Sequence, residues 1–141
     1  HVKPGQRVLE IGTGSGFMTA VLGRLSERVM SIERYKTLIT AAQRRLDSLS
    51  LRNVVLRQAD GSHGLTGEGT FDRIIVTASF PNMPRFLAEQ LVSGGVLLAP
   101  LATGDESCVM VRLTKTGSRF DREDLFEVPY LPLVPKIAAF L

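Results

Sequence analysis

Val8-Leu9-Glu10-Ile11-Gly12-Thr13-Gly14-Ser15-Gly16 joins a short, mostly apolar run to three glycines at alternate positions. The run 7–11 is entered through Pro4-Gly5 and left through Gly12, the pattern of a buried parallel strand. Residues 17–25 come next, with Val21, Leu22 and Leu25 at helical spacing. A glycine turn between strand and helix brings backbone N–H groups and a helix N-terminus against a ligand, with no Cβ in the way. Alone the turn decides little, because tight strand-to-helix connections use glycine for geometry.

The flanking sequence supplies the context. Residues 28–32 predict a second strand, and 35–49 an amphipathic helix carrying Leu38, Ala41, Ala42, Leu46 and Leu49. A third strand is expected over 53–57, and the four glycines of 61–69 mark a loop. Residues 71–76 are the strongest strand, with Ile74-Ile75-Val76 suited to burial on both faces. A helix is expected over 84–91 with Pro84 in its first turn, stopped by Gly94-Gly95, before a fifth strand over 96–99. This alternation predicts an open, doubly wound, mostly parallel α/β sheet. Residues 107–113 and 125–131 read as strands with no helix between them, hence an antiparallel pair at the sheet edge. With neither repeat nor linker, residues 1–141 are expected to form a single domain.

Composition narrows the function. At 141 residues, 44% hydrophobic and 22% charged, the chain is neither disordered nor of low complexity. Its apolar runs fall well short of the about 20 residues of a membrane span, so no membrane partner is expected. No basic-then-apolar leader opens it. A lone cysteine, Cys108, excludes an internal disulfide and a cysteine-built zinc site, and reads as a small packed strand residue. The expected setting is a reducing cytoplasm. The two histidines, His1 and His63, give no metal site, and His63 reads as an exposed loop residue. The net charge of +3 is dispersed, with Arg44-Arg45 the only basic doublet, so no nucleic-acid partner is expected.

Three strands deliver polar groups to the carboxyl edge of the sheet, where open α/β sheets bind ligands. The glycine turn leaves the first strand. Glu33 ends the second, 21 residues beyond Gly12, where a carboxylate accepts hydrogen bonds from ribose hydroxyls. Asp60 ends the third, within reach of an adenine edge. The glycines at 12, 14 and 16 bring the third one residue too early for the dinucleotide fingerprint Gly-x-Gly-x-x-Gly. Glu10 adds a carboxylate that would repel a pyrophosphate but suits a cationic, amino-bearing ligand. S-adenosyl-L-methionine has a sulfonium, an amine, a ribose and an adenine, and no phosphate. An NAD-dependent oxidoreductase is the weakest reading.

These segments resemble one family. Residues 8–17 resemble the first motif of the protein-L-isoaspartate O-methyltransferases, and Ser31-Ile32-Glu33-Arg34 is similar to that family's second-strand motif. Ala59-Asp60-Gly61-Ser62 resembles its Gly-Asp-Gly segment, and 71–78 with Pro81 its fourth-strand motif. Gln90-Leu91 with Gly94-Gly95 and the closing Val128-Pro129-Tyr130-Leu131-Pro132-Leu133 are similar to the family's later segments. The departures are Phe17-Met18 for Tyr-Gln, Ala78-Ser79-Phe80-Pro81 for Ala-Ala-Ala-Pro, and Pro100-Leu101-Ala102 for Pro-Val-Gly. A family glutamine lining the site is replaced around Ser107-Cys108.

The resemblance implies a Rossmann-like methyltransferase sheet that transfers a methyl group from S-adenosyl-L-methionine, leaving S-adenosyl-L-homocysteine. The acceptor would be the free carboxylate of isoaspartyl residues in damaged proteins or peptides. It implies cofactor contacts from Glu10, Gly12, Thr13, Gly14, Ser15, Gly16, Glu33, Arg34, Asp60, Gly61 and Thr77. Substrate contacts are expected from Ala78, Ser79, Pro81, Leu101 and Ala102. An ionised carboxylate needs no general base, so no catalytic acid, base or nucleophile is assigned. The family has a substrate-binding segment before the first motif, and a chain opening at His1 is expected to be a piece lacking it. Two other readings stand: an impaired cofactor-binding module, and a methyltransferase for a small molecule or RNA.

Overall fold

In a computed structural model, which describes residues 1–104 and 107–141, strand and helix alternate as the apolar periodicity requires. β1 (Arg7–Ile11), α1 (Phe17–Leu25), β2 (Arg28–Glu33), α2 (Lys36–Ser48), β3 (Val54–Gln58), β4 (Phe71–Val76), α3 (Arg85–Glu89) and β5 (Leu91–Ala102) come first. A 3₁₀ turn over Gly61–His63 lies between β3 and β4, and β6 (Cys108–Thr116) and β7 (Arg119–Val128) complete the regular elements among the described residues. The seven strands form one sheet in the order β3-β2-β1-β4-β5-β6-β7. β1 to β5 are parallel, whereas β6 and β7 add antiparallel. From β1 the chain winds outward to β3 and then returns to β4 on the other side of β1. The crevice between β1 and β4 is therefore a topological switch point.

The period of two sorts the strand residues between two packing layers. Val8 of β1 and Val29 of β2 pack with Leu22 of α1 on one face. Leu9, Ile11, Met30, Ile32 and Ile74 meet Leu87 and Ala88 of α3 on the other. The crossover through α2 has the sense of that through α1, which sets the two helices side by side. Glu10 and Ser31 share the parity of Val8 and Val29, so both point under α1. There they are fully buried.

Several boundaries differ from the sequence reading, among them the ends of β5, which runs on through Pro100 to Ala102, and of β6, which runs to Thr116 rather than 113. The helix expected over 84–91 is only Arg85–Glu89, and β5 begins at Leu91 rather than at 96. Gly94-Gly95 does not stop a helix; it lies within β5, where the register slips from Phe71↔Leu91 to Arg73↔Val96. The extra β5 residues form an irregularity of the kind glycine permits. The last strand occupies Arg119–Val128 instead of 125–131. Thr116 pairs with Arg119, so Gly117-Ser118 is a two-residue hairpin loop and β7 must start directly after it. Among the described residues, no helix is long and apolar enough to cross a membrane.

Candidate cofactor site

The glycine turn is fixed from both neighbouring strands. Gly12 and Thr13 donate their amides to Ile32 O of β2, at 2.8 and 3.2 Å. Thr77, just after β4, donates its amide to Ile11 O at 2.9 Å and its hydroxyl to Gly12 O at 2.8 Å. Glu33 then ties the turn to the end of β2: Oε2 accepts from the Gly14 amide at 3.0 Å and Oε1 from the Tyr35 amide at 3.1 Å. Each carboxylate oxygen retains further acceptor capacity.

These groups surround a cavity of about 510 Å³ at the switch point. Gly12, Gly14 and Thr77 form one side, with Ile11 and Ala78, and Glu33, Arg34, Tyr35 and Leu38 form a second. Ala59 and Gly61 contribute from the end of β3. The remaining wall is Leu131, Pro132, Leu133, Val134 and Leu141, from the segment that leaves β7. Sequence reasoning assigned that segment no site role, although its Val-Pro-Tyr-Leu-Pro-Leu run carried part of the family likeness. The apolar Ile32, Tyr35 and Leu38 were also missed; nothing distinguishes them in sequence from ordinary packing residues.

Of the cofactor residues expected from sequence, Gly12, Gly14, Glu33, Arg34, Gly61 and Thr77 meet in this cavity. Arg34 also lays its guanidinium over the Tyr35 ring, 4.7 Å from the centroid. Ser15 is exposed, its carbonyl accepting from the Arg45 guanidinium at 3.0 Å. Gly16 is buried against Ala42 of α2. Asp60 stands at the edge with both carboxylate oxygens committed. Oδ1 accepts from the Ser62 amide and hydroxyl at 2.9 and 2.6 Å, and Oδ2 from the Lys136 amide at 2.6 Å. Burial opposes the Asp60 charge, but the bonds from Ser62 and Lys136 outweigh it and hold the pKa below the usual carboxylate value.

Among the expected substrate residues, Ala78 lines the cavity while Pro81 and Ala102 are exposed beyond it. Ser79 and Leu101 are buried. Ser79 is held by its backbone between Leu131 and Leu133, and Leu101 bridges to Phe80. His63 is exposed in its loop beside Ser62, and Cys108 is buried in β6. Among the described residues, no three His, Cys, Asp or Glu side chains gather as a metal site.

Glu10 lies beneath the turn in a chain of hydroxyls. Thr19 and Ser31 both donate to Oε2, at 2.5 and 2.6 Å, and Thr13 in turn donates to Ser31 at 2.6 Å. Among the described residues, Oε1 has no hydrogen-bond partner. Desolvation lifts the Glu10 pKa from 4.5 to about 7 against the pull of the Ser31 and Thr19 bonds, with the Glu33 charge adding to the rise. The native state therefore holds this proton more tightly than the unfolded chain, and stability falls as pH rises from about 4.5 to about 7. Glu10→Gln, which cannot ionise, is expected to flatten that fall. Thermal unfolding at pH 5 and pH 8 reads it directly; an unchanged difference between the two would remove Glu10 as its source.

The sheet order, the switch-point cavity and the glycine turn together define a Rossmann-like methyltransferase fold. The sequence model described as protein-L-isoaspartate(D-aspartate) O-methyltransferase matches residues 1–138. The chain belongs to the protein-L-isoaspartate O-methyltransferase family. It is 60% identical over 141 residues to a Rhizobium meliloti protein-L-isoaspartate O-methyltransferase, covering all of this chain and 69% of that one. It is 44% identical to the Parvibaculum lavamentivorans protein of the same name, covering 98% of this chain and 63% of that one. A solved Plasmodium falciparum protein-L-isoaspartate O-methyltransferase, in complex with S-adenosyl-L-homocysteine, superposes with a TM-score of 0.80 at 27% identity. That match covers 94% of this chain and 67% of that one. The chain thus spans about two thirds of the length of the relatives it matches.

Proposed function

We propose that this chain binds S-adenosyl-L-methionine in the switch-point cavity and supports methylation of the free carboxylate of isoaspartyl residues in damaged proteins. The observation that carries the proposal is one cavity shared by the glycine turn, Glu33 and Thr77, in a chain of this family. The residues present fit the ligand. A Cβ at Gly14 would meet no protein atom within 4 Å, so the turn leaves its space to something else. Glu33 keeps acceptor capacity for ribose hydroxyls after serving Gly14 and Tyr35.

When bound, S-adenosyl-L-methionine supplies an electrophilic methyl group on a sulfonium. The work left to the protein is placement. An isoaspartyl carboxylate is ionised at neutral pH and needs no base, so orientation and exclusion of water are the available contributions. Ala78 and Thr77, at the end of β4, line the cavity where the acceptor would approach. The methyl ester so formed cyclises to a succinimide as the neighbouring backbone amide nitrogen attacks the ester carbonyl and methanol leaves, and hydrolysis of the succinimide partly restores aspartate. The same proposal places the protein in the cytoplasm, in keeping with its unpaired Cys108.

Methyl transfer to an isoaspartyl peptide, compared with its aspartyl twin, tests the reading. Transfer to the first alone is expected; equal transfer to both would sink the substrate assignment. For the cofactor half, Glu33→Ala is expected to weaken S-adenosyl-L-homocysteine by about tenfold or more, the scale of one charge-assisted bond. Calorimetric titration measures it, and tighter binding of NAD than of S-adenosyl-L-homocysteine by the unaltered chain would overturn the reading of this edge.

A further inference from the structure

We propose that Asp60 is a positioning residue that clasps residues 131–141 as a strap along the cavity, and that release of this clasp sets how fast an adenosyl ligand enters and leaves. The inference rests on the cofactor reading above. It starts from how the strap is held. At the end of β4, Ser79 donates its amide to Leu131 O and accepts from the Leu133 amide, both at 2.8 Å. At the end of β3, the Asp60 carboxylate takes the Lys136 amide at 2.6 Å. At the end of β2, Ala138 donates to Arg34 O at 2.9 Å, and its carbonyl accepts from Lys36 N at 3.0 Å and Gln58 Nε2 at 2.9 Å. Three strand ends thus anchor one segment, and the side chains between and beyond the anchors form a cavity wall.

Hydrogen bonds do most to hold this wall, with Leu133 alone among its apolar side chains packed against the core. Leu131, Val134, Ile137, Phe140 and Leu141 are each more than half exposed, so little apolar burial fixes the strap. A segment with few buried contacts opens locally at far lower cost than the core. Lys136 at the clasp has φ +68°, a left-handed conformation unfavourable to a side chain. The Asp60 bond therefore holds shut a segment whose backbone opposes the closed form. Because the strap is a wall of the cavity, its opening and a ligand's exchange are coupled.

Lys136 does not line the cavity, so substituting it probes the clasp without touching the ligand's contacts. Lys136→Pro removes the amide proton and forbids the positive φ; Lys136→Gly keeps the proton and relieves the backbone. In the unaltered 141-residue chain, hydrogen exchange is expected to show the Lys136 and Ala138 amides protected. Stopped-flow displacement of bound S-adenosyl-L-homocysteine is expected to run about tenfold faster or more in Lys136→Pro. It should run no faster than the unaltered chain in Lys136→Gly. If circular dichroism shows Lys136→Pro unfolded, Gln58→Ala loosens the Ala138 anchor from an exposed site and should quicken displacement by a smaller factor. Unprotected Lys136 and Ala138 amides, or displacement rates unmoved in the folded variants, would overturn the clasp. A failure of the cofactor reading is separate: the unaltered chain would then show no saturable S-adenosyl-L-homocysteine binding, whatever its amides do.

Discussion

Gly14→Val is expected to weaken S-adenosyl-L-homocysteine binding by about 100-fold or more, close to 3 kcal/mol, while the fold survives. The two halves of that expectation come from different observations. Position 14 borders the cavity, and its Cβ would meet no protein atom within 4 Å. Valine's branches would therefore stand in the cavity itself, in space proposed for the ligand. The backbone there has φ +53°, within the left-handed region, and holding a side chain in it costs about 1–2 kcal/mol. A domain of ordinary stability withstands such a loss. Gly14→Ala provides the graded control, with less volume and a smaller backbone penalty than β-branched valine. Calorimetry and a thermal melt on the same preparations decide the matter. Unchanged affinity in Gly14→Val would show that the glycine turn does not face the ligand.

The parts of this molecule visible in sequence are those where one physical signal dominates. β1 to β4 and their helices carry clean apolar periodicity, and the 21-residue step from Gly12 to Glu33 puts that carboxylate in the same cavity as the turn. β7 escapes a reading by periodicity because its first half, Arg119 to Asp124, is mostly charged and resembles loop. An edge strand has a solvated face, and charge there discourages pairing with other chains, so polarity is no evidence against a strand at that position. The early start of β5 is hidden by Gly94-Gly95, a signal shared by helix ends and strand irregularities. Choosing between them needs the partner strand, whose register only the folded sheet supplies.

The strap is opaque for another reason. Residues 131–141 have neither an apolar period nor a regular helix or strand, and their position is set by bonds from their backbone to Ser79, Asp60 and Arg34. Backbone donors and acceptors are the same at every non-proline residue, so no side-chain pattern announces where they pair. Asp60 shows the cost of this blindness. Its place after β3 is legible, whereas its Lys136 partner lies 76 residues away and contributes only an amide.

Gly12→Ala is expected to damage folding rather than binding, and by more than Gly14→Val does. An ideal Cβ at position 12 would sit 2.2 Å from Thr77 Oγ1, far inside contact distance. The hydroxyl cannot simply turn away, because it donates to Ile11 O and Gly12 O and joins the ends of β1 and β4. Overpacking of this kind costs about 1–3 kcal/mol. At φ +101° the backbone adds about 1–3 kcal/mol more, since a side chain there lies outside even the usual left-handed well. Together these reach a large fraction of a domain's stability, about 5–15 kcal/mol. The clash and the backbone strain separate in a double-mutant cycle. Thr77→Ala removes the hydroxyl and leaves the nearest remaining atom, Thr77 Cβ, 3.5 Å away, an ordinary contact. In the Thr77→Ala background the cost of Gly12→Ala should therefore fall to the backbone part alone, a coupling of about 1–3 kcal/mol by urea unfolding. Strict additivity of the two substitutions would mean that Thr77 does not crowd the turn, and that the close approach of β4 to the glycine loop is not what requires glycine at position 12.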